Sequence, residues 1–120
     1  MTIGQLVRES LLAQPDSVQS SKRLNVFMVT GNMATEREQG RQLAKTVAWL
    51  LENQYDVELN FGGVRGISIL FIDWLFTPLM KRFPAEKLKE SVEVTGLGKK
   101  NRDRFAEVVQ LRAKELNYVH

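Results

Sequence analysis

The sequence predicts an α/β domain built on a small sheet of three or four strands, mostly parallel or mixed. Three observations predict it. Residues 24–30, 56–61 and 91–95 are rich in β-branched and aromatic side chains, and the last two alternate apolar with polar positions. Each is followed by a longer stretch with helical spacing. Glycine, proline or asparagine marks most of the junctions. Strands alternating with helices favour parallel pairing through right-handed crossovers.

In chain order, residues 2–14 read as a short helix, with Ile3, Leu6, Val7, Leu11 and Leu12 on its apolar side and Pro15 as its stop. Residues 14–23 are polar and carry Ser17, Ser20 and Ser21, so a helix and linker over 1–23 precede a domain at 24–120. LNVFMVT at 24–30 reads as a buried strand ended by Gly31-Asn32. Thr35 and Glu38 make a T-x-x-E capping box, in which each residue satisfies a backbone N–H of the other. The helix it opens runs to about Asn53, with Leu43, Val47, Leu50 and Leu51 on one face. Trp49 points away from that face, so it either covers neighbouring surface or meets a partner.

Residues 56–61 form the second strand, and Gly62-Gly63 turns the chain. Residues 67–83 read as a helix. Leu70, Phe71, Trp74, Leu75 and Leu79 have helical spacing, while Ile72 and Phe76 are apolar on other sides, so burial should surround most of it. Pro78 should kink it or start a new turn. A short helix from Pro84 leads to the third strand, 91–95. Asn101 is a candidate N-cap for a last helix, ending near Asn117, whose buried stripe is Phe105, Val108, Val109 and Leu116.

Composition narrows the chemistry. The 120 residues include no cysteine, which excludes disulfides, thiolate metal sites and a cysteine nucleophile and fits a reducing cytoplasm. The single histidine, His120, stands at the end of the sequence, so multi-histidine metal sites are excluded and a Ser-His-Asp triad is disfavoured. Arg8 and Glu9 lie where a secretory signal would need its apolar core. The most apolar stretch, 67–80, is broken by Asp73 and Pro78 and is shorter than the ~20 residues a bilayer span needs. The expectation is a cytoplasmic, non-enzymatic protein with no metal, no cofactor and no membrane contact.

Three blocks resemble one family. The first is TEREQGRQL at 35–43, similar to an R-x-x-G-R helix start. The second is VELNFGGV at 57–64, similar to x-x-L-D-F-x-x-V, followed by I-S-x-x-F at Ile67, Ser68 and Phe71. The third is VEVTGLGKKNRDRF, from Val92. Together, over 35–116, they resemble the STAS-like family of short bacterial proteins related to anti-sigma-factor antagonists. The resemblance implies a small sheet with helices mainly on one side. It also implies a regulatory, signalling role through protein–protein binding, with a partner such as a histidine-kinase-like ATPase. Such antagonists are switched by phosphorylation of a serine at a helix start. Here that position falls on Ile69 or Leu70, and Ser68 is the only hydroxyl at this entry. Asn60 stands where the strand-to-turn block has aspartate. Ser68 is therefore a candidate phosphorylation site, with a plain N-cap the simpler reading.

The other candidates come from the residues. Phe71, Trp74, Phe76, Met80 and Phe83 crowd one helix beyond what a small sheet covered on one side easily buries, so either part of that helix is an interface with a partner or a second copy, or the N-terminal helix folds back over it. With Trp49 and the loop residues Gly62, Gly63 and Arg65, Phe71 and Trp74 make the candidate partner-binding set. Gly98, Lys99, Lys100, Arg102 and Arg104 make a candidate anion-binding set for nucleotide or nucleic acid. That segment lacks Walker A spacing and interleaved aromatics, and a net charge of +3 is small, so a solvated basic surface is the simpler reading. Asp73 inside the apolar helix needs a cationic partner if buried, and Arg65 and Lys81 are candidates.

Overall fold

The computed structural model describes residues 21–116, so the helix read at 2–14, most of the linker, and His120 lie outside the described residues. Within them the order is β1 (Ser21–Asn25), α1 (Val26–Thr30), β2 (Met33–Ala34), α2 (Arg37–Glu52), β3 (Asp56–Asn60), β4 (Gly66–Ile67), α3 (Ile69–Arg82), α4 (Ala85–Ser91), β5 (Val92–Thr95) and α5 (Lys99–Glu115). The fold is the expected small α/β architecture. Three parallel strands in the order β1-β3-β5 form the main sheet, and β2 and β4 form a separate parallel pair.

Register separates the two faces of the main sheet. Leu24, Leu59 and Val94 share a row, with Val57 and Val92 on the same side. This face packs into the core, where Leu43, Val47 and Leu51 of α2 and Phe71, Ile72, Leu75 and Leu79 of α3 cover it. The opposite side carries Arg23, Glu58 and Glu93, then Asn25, Asn60 and Thr95. There the Glu58 carboxylate accepts from Arg23 Nε at 3.1 Å and from Thr95 Oγ1 at 2.7 Å. The helices thus sit on one face because only that face is apolar. Four phenylalanines extend the core toward α5 in edge-on contacts: Phe71 to Phe61 (6.4 Å), Phe61 to Phe105 (5.7 Å) and Phe105 to Phe76 (5.1 Å).

Several boundaries differ from the sequence reading. The strand expected at 24–30 spans Ser21–Asn25 instead, taking in the end of the polar stretch read as linker. Pairing stops at Asn25↔Asn60, because β3 has no residue left to offer, and Val26–Thr30 coils into a helical turn. The capping box lies one residue later. Glu36, not Thr35, is the N-cap, and its side chain accepts from the Gln39 backbone while Gln39 Oε1 accepts the Glu36 N–H at 3.2 Å. Thr35 is held elsewhere: its carbonyl accepts from Ser68 Oγ at 2.9 Å. Ile67 belongs to β4 rather than to a helix, and α3 continues through Pro78. Gly98, not Asn101, precedes α5, and Leu116 lies exposed beyond its end rather than in the buried stripe.

The α2–α3 contact rests on Gly40. A Cβ there would lie 2.6 Å from the Phe71 carbonyl oxygen and 3.1 Å from the Leu75 nitrogen, so the two helices meet at backbone distance only because residue 40 is glycine.

Candidate functional site

The carboxyl ends of parallel strands are where α/β sheets leave a crevice. Here several loops meet at that end. β2 and β4 pair through Met33↔Gly66 and Ala34↔Ile67, and the Arg65 and Gly66 N–H groups both donate to the Asn32 carbonyl, at 2.8 and 3.2 Å. Ser68 links this pair to α3. Its hydroxyl donates to Thr35 and accepts from the Phe71 N–H at 3.0 Å, so Ser68 is the N-cap of α3. Asn101 Nδ2 donates to the Arg65 carbonyl at 2.7 Å and Arg104 Nη1 to the Ile67 carbonyl at 3.1 Å, which ties the start of α5 to the same loop.

Three glycines let these loops close. Gly63 has φ +88°, and a Cβ there would meet the Phe27 ring at 2.9 Å. At Gly66 a Cβ would meet the Met33 thioether, 2.6 Å from Cε. At Gly96, φ +78°, it would lie 2.6 Å from the Gly62 nitrogen. Phe27 and Met33 therefore lean over the Gly62–Gly66 loop, yet they remain 40% and 49% exposed. Met28 between them is 78% exposed, and Val29, Ile69 and Leu70 are exposed too. The site is thus an apolar surface on a hydrogen-bonded loop frame, with basic residues beside it.

The expected partner-binding residues divide. Gly62, Gly63 and Arg65 belong to this surface and are exposed. Phe71 does not: it is fully buried, because it points from α3 at Phe61, and the reading of it as an interface residue is corrected. Phe76 and Met80 are buried as well, so α3 has less surplus apolar surface than its composition implied. Trp74 is partly exposed on the other flank of α3, with the Arg37 guanidinium 5.5 Å from its ring centre. Trp49 is 59% exposed on α2.

Of the basic set, Lys99 pairs with Asp103 at 3.2 Å, whereas Lys100, Arg102 and Arg104 make no ion pair among the described residues. Gly98 caps α5 with no side chain. Beside it, Thr95, Gly96, Leu97, Arg102 and Phe105 line an open cavity of about 330 Å³. Sequence reasoning missed Phe27 and Met28, because an apolar run of that kind reads as strand, and Met33, which stands alone after the Gly31-Asn32 turn. The polar Asn25 inside the run was the one hint that the strand ends early.

Asp73 finds a partner that local spacing did not offer. Arg112 of α5 grips it side-on with Nε and Nη2, at 2.6 and 2.9 Å, and reaches Glu115 with Nη1; Arg65 and Lys81 are not involved. These bonds, the one to Asp73 first, raise the Arg112 pKa further above its ordinary value. The pair borders a cleft of about 550 Å³ between α3 and α5, with Trp74, Thr77 and Lys81 on its walls. Among the described residues no group of histidine, aspartate or glutamate is placed to hold a metal ion, and no helix is long and apolar enough to cross a membrane.

A family model described as a STAS-like domain of unknown function matches residues 39–102, just over half of the chain. The match runs from the first turn of α2 to the first turn of α5, taking in the Gly62–Gly66 loop and Ser68 and leaving α1 outside. No curated protein and no solved structure matches the chain.

Proposed function

This chain belongs to the STAS-like domain family, and we propose that it is a regulatory protein–protein interaction module that docks a partner on the carboxyl end of its sheet. The observation that carries the proposal is the exposure of Phe27, Met28 and Met33 on a loop frame closed by Gly63 and Gly66. Covering such side chains removes apolar area from water at about 25 cal/mol per Å². Methionine and aromatic side chains are also enriched in interface cores. The module acts in the cytoplasm without catalysis or cofactor, binding a regulator such as a histidine-kinase-like ATPase or a second copy of itself.

Ser68 gives this surface a switch. Its hydroxyl proton is spent on the Thr35 carbonyl, which ties α3 to the segment leading into α2. A phosphorylated Ser68 has no proton to donate there and sets about two negative charges beside the Gly62–Gly66 loop.

The test is capture by the immobilised full chain against a Met28→Asp variant of verified fold. Loss of the captured partner or of self-association is expected; equal capture by both overturns the proposal. A second reading, nucleotide or nucleic acid held by Gly98, Lys99, Lys100, Arg102 and Arg104, draws support from the unpaired Lys100 and Arg102. It requires salt-sensitive binding of labelled nucleotide or of single-stranded or duplex oligonucleotides, and no binding at low salt removes it.

A further inference from the structure

We infer that the partner segment seated on the carboxyl-end surface is acidic as well as apolar: a stretch whose apolar side chains cover Phe27, Met28 and Met33 and whose carboxylates meet Arg65, Lys100 and Arg102. This rests on the partner-docking reading above and adds the chemistry of the partner.

The argument starts from what the fold leaves unneutralised. The loop that carries Gly63 also carries Arg65, whose side chain is exposed and makes no ion pair among the described residues. Asn101 binds the Arg65 carbonyl and so brings the first turn of α5, with its flanking Lys100 and Arg102, against that loop. Gly96 packs on the Gly62 nitrogen and closes the same seam from the side of β5. Of the carboxylates nearest in sequence to these cations, Asp103 holds Lys99, Glu58 holds Arg23 and Asp73 holds Arg112, and none pairs with Arg65, Lys100 or Arg102 among the described residues. A partner that buries the apolar centre therefore also takes water from a rim of cations with no ion-pair counterpart among the described residues. Only a segment bringing its own carboxylates restores what that desolvation removes.

The cavity of about 330 Å³ beside β5 sharpens the match. Arg102 lines it together with Thr95, Gly96 and Phe105. An aspartate or glutamate entering there meets a guanidinium suited to paired hydrogen bonds with a carboxylate. A nucleic acid would satisfy the same cations, but it would leave Met28 and Met33 without apolar cover. Phe27 is the one exposed aromatic side chain at this end among the described residues, too little for base stacking along a strand. The apolar centre favours protein.

The test places a photo-crosslinking amino acid at position 28 of the full chain, and separately at position 49 as a control, in the host cell. The crosslinked peptide is then read by mass spectrometry. The expected product at position 28 is a protein segment with net negative charge and apolar residues among its acids. The double variant Lys100→Glu, Arg102→Glu should lower its yield by about tenfold, the effect of two exposed pairs turned repulsive. A neutral or basic segment at position 28, from another protein or from a second copy, overturns this inference and leaves the docking reading standing. Crosslinks to lipid or nucleic acid at position 28, or protein crosslinks at position 49 alone, overturn both.

Discussion

Glycine brings chain segments together in two regions of this molecule, with opposite consequences for the surface. At Gly40, α2 and α3 touch backbone to backbone, and Leu43, Ala44, Phe71 and Leu75 around the crossing are buried. At the carboxyl end of the sheet, Gly63 and Gly66 receive the Phe27 ring and the Met33 thioether, yet both side chains keep a large share of their surface in water. The difference lies in what is stacked above. The helix crossing lies against the apolar core, so close approach there excludes water from the buried side. The loop end has nothing beyond it among the described residues, so the same device there builds a firm platform with its apolar side outward. The first region is built for stability, and the second carries the proposed docking surface.

Substitutions can break that comparison, and the effects should fall in order. Phe71→Ala empties a fully buried position in the phenylalanine row and should cost about 3–5 kcal/mol in urea unfolding. A cost below about 1 kcal/mol would mean that the α2–α3 region is not the stabilising one. Gly40→Ala should lower stability by about 2 kcal/mol although alanine is the better helix former, since its Cβ meets the Phe71 carbonyl. A stabilising Gly40→Ala would remove the close-approach argument.

At the other region the effects on stability should be smaller. Gly63→Ala imposes a left-handed backbone and a contact with the Phe27 ring, which can swing aside, so about 1 kcal/mol is expected by thermal melting. The polar sheet face contributes a pH-dependent share. The Thr95 hydroxyl first, and Arg23 after it, hold the Glu58 carboxyl below its ordinary value of 4.5 against the opposing effect of burial. A depressed folded-state pKa means that the stabilisation is present above the unfolded value and is lost as pH falls through the folded one. Urea midpoints should therefore drop on acidification below 4.5, and Thr95→Val should flatten that drop. An unchanged acid limb in Thr95→Val would show that Glu58 is not its source. Met28→Asp closes the series: its stability should stay within about 0.5 kcal/mol of the parent while partner capture is lost. A large loss of stability instead would place Met28 in the packed structure rather than on a free surface.

Much of the α/β framework was legible in the residues. The alternation of Val57, Leu59 and Phe61 located β3, and the 3.6-residue stripe of Leu43, Val47, Leu50 and Leu51 located α2 with its buried face. The candidate site was legible only in part. Gly62, Gly63 and Arg65 stood out as a glycine turn with a charge, and Ser68 as a hydroxyl at a helix start. The apolar half of the surface was hidden, because VFMVT has strand-forming chemistry and no periodicity of its own. Its fate depended on how far β3 could pair with it.

The sequence by itself determined the order of the three main-sheet strands and the long helices between them, the inward face of α2 and the absence of cysteine chemistry. These follow from side-chain period and composition, which are local. Tertiary structure decided the rest. It ended β1 at Asn25, moved the α2 cap to Glu36 by holding Thr35 with Ser68, joined Asp73 to Arg112 thirty-nine residues away, and buried Phe71 while leaving Met28 outside. Each of these turns on which distant backbone or side chain arrives as a partner, and no local pattern carries that information.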